Sequence, residues 1–197
     1  MSRLTTEESD AYGRMGYDGR LGSRRKLFWA GMPEYFAVGS PPYGELHSTV
    51  DQTFSLANTS QVITFNDNAI LNEITHSETV NPENITIEKA GTYKIDLSPQ
   101  LDRSSTASAQ TLVVWAEIDT GSGFVVVPLS AVKKSATNVG TTGITMLSIL
   151  TTFAAGDILR FRAQVTDTTL FLNYTAPSGD IPAIASCHMM IHRVGST

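Results

Sequence analysis

The chain has 197 residues, a formal net charge of −5 and one cysteine, with 41 % hydrophobic and 17 % charged residues. That balance excludes wholesale disorder and supports one core with an extension, or two small domains. A net negative chain is poorly suited to sequence-independent nucleic-acid binding, which needs a surplus of cations. The lone Cys187 excludes an intrachain disulfide framework. No run approaches the roughly 18 apolar residues of a membrane helix.

The N-terminal stretch "MSRLTTEESDAYGRMGYDGR" carries charges and no apolar core. It is therefore expected not to be a secretory signal, and the protein to be made in a cytoplasm. Residues 1–50 as a whole read as an arm: scattered glycines, a Pro-Pro pair and aromatics without a period of 2 or 3.6. Phe28, Trp29, Tyr35, Phe36 and Tyr43 are too apolar for a solvated leader, so they are expected to anchor the arm on a partner. Arg24, Arg25 and Lys26 in "SRRKLFW" form the densest basic cluster. Docking on an acidic protein surface accounts for it better than nucleic acid, because the arm's own acids balance its cations.

Residues 51–197 read as short strands with turn signals between them. "SQVITF" alternates and is followed by "NDN" and "NPEN"; "ITIEKAGTYKIDLSPQL" alternates again, with Gly91 at a kink. "AQTLVVWAEID", the turn "TGSG" and "FVVVPLSAV" form a hairpin pattern. "GITMLSILTTF", "AAGD", "ILRFRAQV", "TLFLNY" and "ASCHMMIHRV" complete the set. Strands at this spacing without an amphipathic helix predict an all-β, antiparallel jelly-roll sandwich.

Two of these strands look apolar on both sides. In "TLVVWAEI" the set Leu112, Val114, Ala116 and Ile118 faces one way and Val113 and Trp115 the other; in "FVVVPL" Phe124 and Val126 oppose Val125, Val127 and Leu129. An exposed sandwich sheet should have one wet face, so the second side is expected to meet another subunit in a cyclic oligomer. In "ILRFRAQV" Arg160, Arg162 and Gln164 share the side opposite the core set. Two readings stand: the arginines pair with carboxylates across a subunit junction, or they protect a solvated edge strand from aggregation.

The stretches "NITIEKAGTYKIDL", "LVVWAEID", "LTTFAAGDILRF" and "ASCHMMIHRV" together resemble the jelly roll of the complement C1q globular head and tumour necrosis factor family. Gly91 and Tyr93 match one family element and Gly156 and Asp157 another, over roughly residues 55–195. The turn at Asp119–Gly121 departs from the family's Asn-Gly, and no collagen-like stalk or membrane anchor precedes the domain. The resemblance implies a homotrimer around a threefold axis, of the kind found in bacteriophage virions. Trp115, Arg160, Arg162, His188, Met190 and His192 are then expected at the trimer interface. The arm would attach the trimer to capsid or tail proteins, as a capsid decoration protein located in the virion. The alternative is a receptor-binding fibre tip whose loops, with Tyr174 for stacking, recognise a host glycan.

Catalytic and cofactor motifs are not apparent: no nucleophile elbow, P-loop or zinc-protease helix occurs. No catalytic residue, metal ligand or cofactor is therefore assigned. His188 and His192 in "HMMIH" lie about 13 Å apart on a strand, too far to share one ion. Three copies of one of them meeting on a threefold axis is a separate route to a metal. His47 and His76 fall in loop-like sequence without an evident partner. Cys187 reads as a small core residue.

Overall fold

The computed structural model describes residues 40–105, 109–137, 139 and 143–196. The expected arm contacts Arg24, Arg25, Lys26, Phe28, Trp29, Tyr35 and Phe36 lie outside the described residues. The chain divides between Ser40 and Pro41.

From Pro41 onward the described residues form an antiparallel jelly-roll sandwich of two sheets. The first runs β2 (Gln52–Thr53), β14 (Leu170–Leu172), β7 (Gly91–Arg103), β15 (Cys187–Gly195), β1 (Tyr43–Ser48) and β4 (Asp67–Asn72). There, β11 (Gly143–Ile144) and β12 (Leu147–Phe153) also pair with β7. The second runs β10 (Val132–Ala136), β8 (Gln110–Asp119), β13 (Ile158–Val165), β6 (Ile85–Ile87) and β5 (Ile74–His76). In it, β3 (Gln61–Val62) pairs with β13 and β9 (Phe124–Val126) with β8.

Period-2 alternation builds the core between the sheets. Leu159, Phe161, Ala163 and Val165 of β13 are fully buried and face the equally buried Tyr93, Ile95, Leu97, Met189 and Leu46 side of the first sheet. Phe65 meets Phe161 edge-on at 6.4 Å between centroids, and Tyr93 meets Phe153 the same way at 5.6 Å. Such pairs add about 0.5–1.5 kcal/mol beyond the area they bury.

The turns follow from local chemistry. Asp119 Oδ1 accepts from the Gly121 and Gly123 N–H groups, each at 2.8 Å, in the loop joining β8 to β9. Both glycines have φ near +100°, which a side chain rarely tolerates (+97° and +101°). At "AAGD" the Asp157 carboxylate accepts from Ala154 N at 2.7 Å, and the chain passes from β12 in the first sheet to β13 in the second. That Asp replaces a backbone partner at a crossover between layers. Gly91 is required by close approach: a Cβ there would lie 2.7 Å from the Gly195 carbonyl oxygen.

The domain starts earlier than the expected boundary at residue 51. β1 occupies residues assigned above to the arm, and it lies mid-sheet, hydrogen-bonded to β15 on one side and β4 on the other. "YGELHS" hides this because its inward set is Gly44, Leu46 and Ser48, with one large apolar side chain among the three. Gly44 is small because Leu71 and Ile191 close over it, 3.1 and 3.2 Å from where a Cβ would stand.

The edge-strand explanation of Arg160 and Arg162 does not hold. β13 is interior, with β8 along one side and β6 and β3 along the other.

Cys187 is fully buried at the start of β15, and burial pushes its thiol far above the ordinary cysteine range. A thiol-specific reagent at neutral pH is expected to leave it unmodified in the native protein and to label it stoichiometrically in denaturant. Rapid native labelling would show that β15 is not seated as described.

Candidate functional site

The expected interface residues fall on two separate outward faces. Trp115, Arg160 and Arg162 lie on the second sheet; His188, Met190 and His192 lie on the first. The core separates them, so they do not form one surface.

On the second sheet the Arg160–Glu117–Trp115 group is satisfied within the chain, while Arg162 keeps a buried Nε without a hydrogen-bond partner. Register places Arg160 opposite Glu117 and Arg162 opposite Trp115. Arg160 donates to Glu117 Oε2 from Nε at 2.8 Å, and its Nη2 stands 2.7 Å from the same oxygen. The Trp115 indole N–H donates to the other Glu117 oxygen at 3.2 Å, and the guanidinium lies 3.5 Å above the Phe124 ring. Arg162 donates to the Ser60 carbonyl at 2.9 Å. Arg160's carboxylate partner thus belongs to its own chain, not to a neighbour across a junction. Nor is the second side of β8 dry: Val113 and Trp115 are half-buried beside Gln164 and Arg162. The guanidinium and amide stems supply part of their cover.

The outward face of the first sheet is arranged differently. Antiparallel pairing aligns Asp67, His47, His188 and Ser98 in one row across β4, β1, β15 and β7. The next row holds Ile70, Glu45, Met190, Asp96 and Ser148, reaching β12. His47 and His188 are direct cross-strand partners, with ring centroids 5.0 Å apart. Glu45, two residues along the same side of β1, sets Oε1 3.2 Å from His47 Nε2 and 3.0 Å from His188 Nε2. Asp67 Oδ2 stands 3.3 Å from the other nitrogen of His47.

Glu45, His47 and His188 each offer one donor atom, and these lie within 4.8 Å of one another. Burial raises the Glu45 carboxyl pKa, but hydrogen bonds with His47 and His188 and their nearby charge outweigh it and hold the group below its ordinary range. The cluster opens into a groove of about 470 Å³, lined also by Thr49, Ser98, Gln100, Ile144, Tyr174 and Ile184.

His192 shares this face but pairs with Tyr43 and Lys94, and it does not join the cluster. His76 is a structural residue: it is buried on β5, with one ring nitrogen 2.7 Å from Asn68 Oδ1 and the other 2.9 Å from the Pro82 carbonyl. The sequence offers His192 as the only nearby histidine for His188, and the two are too far apart to act together. The true neighbour of His188 is 141 positions away, and only the β1–β15 register brings the two together. The signal available in sequence was the "ELH" alternation, which puts Glu45 and His47 on one side of any strand.

No protein-family model matches the chain, and no curated protein does. Among solved structures it is similar to the globular domain of zebrafish complement 1qA protein, at 13 % sequence identity and a TM-score of 0.48, over 80 % of this chain and 100 % of that one. The jelly-roll assignment rests on this chain's own strand order and ladders.

Two outcomes follow from these faces. Glu117→Ala leaves the Arg160 guanidinium without its charged partner, and should lower stability by about 1.5–3 kcal/mol, the range for a hydrogen bond to a charged group. Urea unfolding of Glu117→Ala, Arg160→Ala and the double variant should show coupling; simple additivity would mean the pair does not stabilise the fold. Asp96 is pushed up by burial, but hydrogen bonds from Lys94 at 2.7 Å and Ser148 at 2.6 Å more than offset this and hold it below its ordinary 3.8. A depressed folded pKa gives stability that is present above the unfolded value and lost as pH falls through the folded one. The cost of Asp96→Asn, under about 1 kcal/mol for so exposed a pair, should therefore shrink below about pH 4. A cost that stayed constant down to pH 2 would contradict the assignment.

Proposed function

We propose that the protein is a non-enzymatic structural component of a virion: a homotrimer of jelly rolls that associates through the outward face of the first sheet. Residues 1–40 serve as the arm that fastens it to a capsid or tail lattice. The observation that carries this reading is apolar exposure beside the polar cluster of the first sheet, although β9 of the second sheet also exposes Val125 (69 %) and Val126 (51 %). Ile70 on β4, Met190 on β15 and Leu150 on β12 are 48 %, 46 % and 66 % exposed. Fully covering such a side chain is worth about 1.5–3 kcal/mol, so a face presenting several of them favours a partner. Met190 sits between His188 and His192, so those three of the expected interface residues belong to this surface. Trp115 and Arg160 are satisfied in their own chain through Glu117, which favours the first sheet as the site of association.

The number three and the virion setting come from the resemblance described above. The arm's aromatics and its Arg24–Lys26 cluster support attachment to a protein surface. Binding only the assembled shell would stabilise that shell by mass action, and three arms would add avidity.

The groove favours a second reading, a fibre tip that recognises a host glycan. Tyr174 offers a stacking face there, and Asp67, Ser98 and Gln100 offer hydrogen bonds. In the polar stretches "LDRSSTASAQ" and "KKSATNVGTTG", residues 106–108, 138 and 140–142 lie outside the described residues.

Light scattering of the purified chain should give a mass three times that of the monomer, and Leu150→Glu with Met190→Glu should yield folded monomers. Removing residues 1–40 should keep the trimer and abolish attachment to particles. A wild-type monomer in dilute buffer overturns the assembly; particle binding by the truncated chain overturns the role of the arm. Saturable binding on a glycan array would move the assignment to the fibre-tip reading.

A further inference from the structure

Glu45, His47 and His188 present two imidazole nitrogens and a carboxylate oxygen from two neighbouring strands, a donor set suited to zinc and its first-row neighbours. Ligands bound tetrahedrally at 2.0–2.1 Å stand roughly 3.3–3.4 Å from one another. Two of the three edges are already close to that, at 3.2 and 3.0 Å, and the third lies within 4.8 Å. The strands set this spacing without a loop having to order. His47 and His188 are direct partners, and Glu45 lies one side-chain step along the same face.

A second observation points the same way. His47 has a carboxylate oxygen at both ring nitrogens, Glu45 Oε1 at 3.2 Å and Asp67 Oδ2 at 3.3 Å. A neutral imidazole donates from one nitrogen only. With Nδ1–H given to Asp67, the Nε2 lone pair points into the cluster, where a cation shared with Glu45 Oε1 can take it. Asp67 would then hold the ring in that tautomer, the carboxylate–histidine–metal arrangement found around protein zinc.

We propose that Glu45, His47 and His188 of one chain bind a single divalent transition ion of the zinc class, oriented by Asp67 and with one coordination position open to the Tyr174-lined groove. Three protein ligands plus an open position is the arrangement of a zinc that accepts an exogenous ligand rather than of a closed structural site. The groove gives that ligand room beside Ser98 and Gln100. All the ligands come from one chain, so the site stands whether or not the protein is a trimer.

The test is titration of the chelator-treated full-length chain with Zn²⁺ by calorimetry, with Co²⁺ absorption in the visible reporting coordination geometry. One ion per chain is expected, with intense tetrahedral cobalt bands. His47→Ala and His188→Ala should each abolish saturable binding, and Asp67→Asn should weaken it about 10–100-fold. His192→Ala, a histidine on the same face outside the cluster, should bind as the parent does. Circular dichroism of each variant separates lost ligation from lost fold; if an alanine variant unfolds, the conservative Glu45→Gln and Asp67→Asn variants carry the test. Absence of saturable Zn²⁺ binding by the folded parent overturns the proposal, as does binding unchanged by His188→Ala. One ion per three chains would also overturn it, by pointing to histidines shared between subunits. Light scattering on the same samples reads the oligomeric state separately, so failure of the metal site and failure of the trimer are distinguishable.

Discussion

The pairing of β1 with β15 is the constraint on which the rest of the domain depends. It joins residues 43–48 to residues 187–192, near opposite ends of the chain, in one antiparallel ladder. That ladder places β1 between β4 and β15 and seats Leu46 and Met189 in the core. Because side chains alternate along a strand, a one-residue slip would expose Leu46 and bury Glu45 and His47. The cost of burying those polar groups, added to the lost apolar cover, locks the register. The same register puts His47 opposite His188. The polar cluster on the outside is thus a consequence of how the inside packs.

The two outward faces deal with water in different ways. The second sheet closes its central charged pair on itself: Glu117 accepts from both Trp115 and Arg160, and the guanidinium also covers Phe124. It carries the tryptophan and arginines that look most like an interface when read along the chain, together with the exposed Val125 and Val126 of β9. The first sheet leaves Ile70, Met190 and Leu150 in solvent beside a cluster of titratable groups. Its polar residues converge on one another rather than spreading into water. A binding role therefore fits this face better, whether the occupant is another subunit, a ligand or an ion.

How legible each element was depended on how much of its information is local. β13 was readable because Leu159, Phe161, Ala163 and Val165 alternate with Arg160, Arg162 and Gln164, and that alternation alone separates inside from outside. The loop at Asp119 was readable as a turn because glycines at positive φ leave a compositional mark. β1 was not readable. Gly44 is small because Leu71 and Ile191 close over it, and together with Ser48 it makes the segment resemble the glycine-rich arm before it. Arg160 was placed on the correct side of its strand, but its partner was sought in another subunit, since nothing in the sequence says that β8 lies alongside β13.

The amino-acid pattern by itself determined the all-β class, many of the strand positions from residue 60 onward, the sidedness of β13 and the buried character of Cys187. These follow from period-2 alternation and turn chemistry, which act over a few residues. Tertiary structure alone decided that residues 43–48 belong to the sheet, that Trp115 and Met190 lie on opposite faces, and that His47, His188 and Glu45 meet. Those facts depend on which strands are neighbours and in what register. That choice is made by burying one shared core, and no short stretch of sequence records it.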